Sequence, residues 1–168
     1  METELTNKTQ SPSAGYQDQI QEIAYNIFEL TCYMFPMEEW ELEDAGELER
    51  PDGNVRSIVR FDGAAEGAMV ISPSEDLLEA LAANMLGVEE ANDEEKEGAL
   101  CEIANIICGN TVPLFAHDEQ ICYIRPPRIA AQGEDTDELF KGMTREDVEV
   151  LLDEGIAEIS IYYNAEDL

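Results

Sequence analysis

Apolar residues recur along this chain with two periods, and each change of period marks an element. From Tyr16 to about Met34, Ile20, Ile23, Ala24, Ile27, Phe28 and Cys32 keep helical spacing, and Pro36 predicts the stop. Further on, Val55, Ser57, Val59 and Phe61 alternate with Arg56, Ile58 and Arg60, the rhythm of a half-buried strand. Pro51-Asp52-Gly53-Asn54 before it has turn chemistry, so residues 46–61 read as a hairpin. Asp62-Gly63 predicts another reversal, with a third strand over 67–72. Ser74 then suits the N-cap of a helix running to Met85 and ended by Gly87.

The second half opens with a charge run, Val88 to Glu97, in which Asn92 and Glu95 have capping-box spacing. A central helix follows from about Asp93 to at least Cys108, and Pro113 ends or bends it. Residues 120–124 alternate as a strand and reach Pro126-Pro127, the mark of an edge or a strand end. Residues 129–131 resume it. Thr144 is read as the cap of a short helix to Leu152, and 157–163 as a last strand with Ile159, Ile161 and Tyr163 on one face. Helices and hairpin-linked strands in separate runs predict an α+β fold with a mainly antiparallel sheet. Residues 1–15 read as a mobile polar tail and 16–168 as a single domain.

Charge narrows the partners. With 39 acidic against 9 basic residues, the formal charge is −30 in a chain of 168. Such a field repels nucleic-acid backbones and anionic lipid, so neither nucleic acid nor membrane insertion is expected. A salty cytoplasm is one reading of the excess, since ions screen the self-repulsion. No run reaches the ~18 apolar residues of a membrane span, and residues 1–14 lack the apolar core of a secretory signal. Cys32, Cys101, Cys108 and Cys122 form no CxxC pair, so reduced thiols in a cytoplasmic protein are expected.

Candidate chemistry centres on EGALCEIANIICGNTVPLF, residues 97–115. Leu100, Ile103, Ala104 and Ile107 make the core-facing stripe; Glu102 and Asn105 fall off it and share the opposite face, with Cβ atoms ~5–6 Å apart. Gly98 and Gly109 continue their ridge on either side, where a partner backbone can approach closely. An amide holds a water by donating and accepting at once, and a carboxylate anchors a cation. Neither is a strong base or nucleophile, so the pair suits a substrate that is already reactive, such as an acyl phosphate. No GxSxG, phosphate loop or HExxH occurs, and a triad would have to use His117, the single histidine. A faint repeat sets Glu22-Ile23-Ala24-Tyr25 against Glu102-Ile103-Ala104-Asn105, which leaves the amide in the second half alone.

On these residues the sequence resembles the CheC/CheX/FliY group of chemotaxis phosphatases, and CheX most closely. The family signature is Asp or Ser, three residues, Glu, two residues, Asn, and a later Pro. Glu102 and Asn105 stand in register within GALCEIANIICGN; Gly98 takes the Asp/Ser place, and Pro127 falls one residue early, with Arg128 at the nominal position. The resemblance implies hydrolysis of the aspartyl phosphate of a CheY-type response regulator. Asn105 would orient the water, and Glu102 would hold the regulator's lysine. It implies no cofactor of the chain's own, with Mg²⁺ expected on the partner regulator, and a homodimer. The alternative is a non-catalytic module that docks a regulator or motor component through the same face.

Overall fold

The computed structural model describes residues 15–43, 48–116 and 120–164. Apart from Gly15, the stretch read as a polar tail lies outside them, as does His117. The helices announced by apolar spacing are α1 (Gln17–Cys32), α3 (Glu75–Leu86) and α4 (Asp93–Thr111). Two single-turn helices, α2 (Glu39–Leu42) and α5 (Thr136–Leu139), lie in connections. Ser74 caps α3 by accepting from the Leu77 amide, and Gly87 closes it in the left-handed conformation at φ 70°.

Among the described residues, six strands form one sheet: β1 (Ser57–Gly63), β2 (Gly67–Pro73), β3 (Cys122–Ile124), β4 (Arg128–Ile129), β5 (Thr144–Leu152) and β6 (Gly155–Tyr163). Its order is β3-β1-β2-β6-β5, and β4 shares the β1 edge with β3. Every pairing is antiparallel. Pro126 and Pro127 explain the interrupted edge: without amide protons they cannot extend the ladder, so β3 stops and β4 resumes beyond them.

Two expectations fail. Among the described residues 48–56 there is no strand, so two strands rather than three precede α3. Pro51-Asp52-Gly53-Asn54 does turn, with the Asn54 amide donating to Asp52 Oδ1 at 2.9 Å, but it leads from irregular chain into β1. The predicted helix over Thr144–Leu152 is a strand, β5. Its Val148, Val150 and Leu152 are buried at period two, and all nine of its residues find partners on β6, from Thr144↔Tyr163 to Leu152↔Gly155. A nine-residue helix is too short to be stable without tertiary support, whereas Asp153-Glu154 closes a tight hairpin onto an existing strand.

The sheet has two unequal faces. Helices α1, α3 and α4 cover one, burying Phe28, Phe61, Met69, Ile71, Ile103, Ile107, Ile159 and Ile161 together. The chain over 130–143 covers part of the other, setting Ala130 and Phe140 against Ile58, Ala68, Val70 and Tyr162. Because β5 ends the sheet, its outward backbone groups need partners, and α1 supplies them. Gln17 and Gln21 donate side-chain amides to the carbonyls of Asp147 and Glu149 at 3.1 and 2.7 Å, and Tyr25 Oη accepts from the Leu151 amide at 3.0 Å. Met37 adds a backbone donation to Leu151 O at 3.0 Å. The β5 edge is thereby closed.

Candidate functional site

The central helix α4 begins in a complete capping box. Asn92 Oδ1 accepts from the Glu95 amide at 2.7 Å, and Glu95 Oε1 accepts from the Asn92 amide at 3.0 Å. Asp93, Glu94 and Glu95 complement the positive end of its dipole. Downstream, Ala99, Leu100, Ile103, Ala104, Ile107, Cys108 and Thr111 are buried, and the helix packs against α1, α3, β1 and β2. Packing against two helices and the sheet fixes the orientation of the helix. Its last turn tightens into a 3₁₀ segment, Val112–Phe115, so Pro113 modifies the helix end rather than bending a continuous helix. The segment Asp93–Phe115 is long and apolar enough to cross a bilayer, but half of its apolar window is buried inside the protein.

Glu102 and Asn105 are both exposed on the face of α4 opposite this core. The structure therefore brings the two predicted residues together, one turn apart on one ridge. Among the described residues, the side chain of neither makes a hydrogen bond or ion pair. The contrast with Asn110 is direct: its amide donates to Ile106 O at 2.8 Å and is occupied by its own helix. Lys96, the only cation on α4, turns toward Glu75 and Glu79 of α3 at 3.5 and 3.6 Å, so it does not neutralise Glu102. The site thus presents an uncompensated carboxylate and an unspent amide to solvent.

The two glycines of the ridge differ. A Cβ on Gly109 would sit 3.3 Å from Ile124 Cδ1, so this glycine admits β3 against the helix. Among the described residues, a Cβ on Gly98 would meet nothing within 4 Å. Glycine in a helix interior costs about 0.5–1 kcal/mol relative to alanine. At Gly109 packing accounts for it; at Gly98 no internal contact does. Beside Gly98 runs a half-open groove of about 420 Å³ lined by Met85, Leu86, Glu95, Gly98, Ala99 and Glu102. Sequence reading missed Met85 and Leu86, which look like an ordinary helix end. The available signal was an apolar pair placed directly before the Gly87 cap.

Thiol chemistry does not compete at this site. Burial pushes the Cys108 thiol up to about 12, and burial together with the Glu97 charge raises that of Cys101, so both stay protonated and poorly nucleophilic. Among the described residues, no group of three or more His, Cys, Asp or Glu side chains gathers into a metal site. The arrangement is chemically suited to positioning: an amide can orient a small polar molecule, and a carboxylate beside it can hold a cation.

No curated protein matches the chain. Among solved structures, it is similar to the CheX–CheY–BeF3–Mg complex from Borrelia burgdorferi at a TM-score of 0.64 and 22% identity, over 89% of this chain and 97% of that one. It is similar to the chemotaxis protein CheX from Vibrio vulnificus at 0.64 and 17%, over 92% and 99%. To FliY from Thermotoga maritima it is similar at 0.55 and 17%, over 93% and 92%. At such identities these likenesses establish the fold. The model of the chemotaxis phosphatase CheX family matches residues 55–148, more than half of the chain and all of α4. The chain belongs to the chemotaxis phosphatase CheX family.

Proposed function

We propose that this chain is a protein phosphatase that hydrolyses the aspartyl phosphate of a CheY-type response regulator. The observation that carries the reading is the unpartnered Glu102–Asn105 pair on a helix held by packing, within the stretch that the family model matches. A relative of the same fold is known in complex with CheY, which favours a regulator as the partner.

The chemistry asked of this chain is modest. An aspartyl phosphate is an activated acyl phosphate, so neither a strong base nor a covalent nucleophile is needed. Asn105 inserts beside the phosphoryl group, and its amide holds a water in line with the scissile bond. The water oxygen bonds to phosphorus, the bond from phosphorus to the aspartyl oxygen breaks, and the aspartate leaves as carboxylate with release of inorganic phosphate. Glu102 pairs with the regulator's active-site lysine and sets the register of the two proteins. The magnesium ion belongs to the regulator's pocket. One well-placed polar group of this kind is worth on the order of 10²–10³ in rate.

The setting is read as cytoplasmic, where the regulator resides, and the active form as a homodimer. The β3 edge is the other end of the sheet, where Tyr123 and the adjoining Ile121 are exposed, and it suits a second copy; the β5 edge is occupied by α1.

Phosphate release from a phosphorylated CheY-type regulator tests the reading. Wild type accelerates release, and Asn105→Ala lowers that acceleration at least ~100-fold while the protein stays folded. Equal rates for wild type and Asn105→Ala would sink it. Binding of the regulator without accelerated release identifies a docking module instead.

A further inference from the structure

Among the described residues, none occupies the groove beside the candidate pair. Gly98 forms part of its floor with open space above it, although a helix-interior glycine weakens the helix that carries the site. Leu86, 48% exposed, and the half-buried Met85 form an apolar wall from the end of α3, and Ala99 adds to the floor. Glu95 and Glu102 supply an acidic rim. Glu102 lies one turn from Gly98 on the same ridge, so a protein that engages Glu102 and Asn105 also covers this groove.

We propose that the groove formed by Gly98, Ala99, Met85 and Leu86 is a specificity socket that receives one apolar side chain of the phosphorylated regulator. This rests on the phosphatase reading of the Glu102–Asn105 pair and extends it to partner choice.

Three features select that occupant. The floor and inner wall are apolar, so the inserted group is an aliphatic or aromatic side chain. The rim is anionic and Lys96 is turned away to α3, so the surface around that side chain is cationic, in keeping with a lysine held by Glu102. The missing side chain at position 98 makes the room: anything larger than a methyl there projects into the groove. Gly109 is excluded from this role because the space above it is filled by Ile124. Discrimination between regulators then follows from which side chain each presents beside its acyl phosphate, since an unfilled socket loses apolar contact and an overfilled one clashes.

The test combines Gly98→Leu and Leu86→Glu with steady-state phosphate release from the phosphorylated regulator. Either variant raises KM about tenfold, with the loss in KM rather than in kcat, because the first fills the socket and the second makes its wall polar. Leucine propagates helices better than glycine, so Gly98→Leu melts no lower than wild type, which separates the effect from misfolding. A wild-type KM in both variants overturns the socket. Should wild type release no phosphate, the phosphatase reading falls, and titration with the beryllofluoride-activated regulator still decides the socket. About tenfold weaker binding by both variants supports it; equal binding, or no binding by wild type, overturns it.

Discussion

Helices α1 and α4 carry the same three-residue phrase, Glu-Ile-Ala, and the fold uses them in opposite ways. Ala24 and Ala104 are both fully buried, and Glu22 and Glu102 are both exposed. At the next position they diverge. Tyr25 leans onto β5, where its hydroxyl accepts from Leu151, while Asn105 stands free. Around Tyr25 the polar row of α1 is spent on structure, with Gln17 and Gln21 bonded to the carbonyls of the edge strand. The corresponding row of α4 runs along solvent and closes no edge. A polar side chain is available for chemistry only where the architecture has not already claimed it.

That contrast can be broken at either helix. The largest effect belongs to α4: Glu102→Ala removes a charge-assisted contact worth about 1.5–3 kcal/mol, so regulator binding weakens roughly tenfold or more by titration. Undiminished binding would remove Glu102 from the interface. The next effect belongs to α1. Tyr25→Phe leaves the Leu151 amide without its acceptor and lowers stability by about 1–2 kcal/mol in urea unfolding, with phosphate release unchanged. Tyr25→Asn sharpens the same point: it reproduces the residue pair of α4, yet adds no second site, because position 25 faces β5. A doubled rate per chain would show that the phrase alone makes the site. The smallest effect separates the glycines. Gly98→Ala raises stability by about 0.5–1 kcal/mol, whereas Gly109→Ala gains less because Ile124 Cδ1 must yield from 3.3 Å. Equal gains would remove the distinction between them.

Much of this was legible in residue order. The spacing of Ile20, Ala24 and Phe28, the Ser74 and Asn92 caps, and Pro126-Pro127 at the edge each act over a few residues, so each could be read before folding. The strand at Thr144–Leu152 reads as a helix for a physical reason: its first half is polar, and Thr144 with Glu146 and Asp147 two and three residues on imitates a helix start. Only pairing with β6, in the register set by the Asp153-Glu154 turn, decides between the two states. Residues 48–56 erred the other way, since a turn motif specifies a reversal but not a strand on both of its sides.

By itself, then, the sequence determined the helix ridge that carries Glu102 and Asn105, because a period of 3.6 residues fixes which side chains share a face. It also determined the anionic field in which that ridge acts. Which polar groups stay unspent depends on long-range packing: β5 arrives to occupy Gln17, Gln21 and Tyr25, and β3 arrives to fill the space above Gly109. The opening above Gly98, walled by Met85 and Leu86, exists because α3 ends beside α4, a juxtaposition of distant segments that no local pattern encodes.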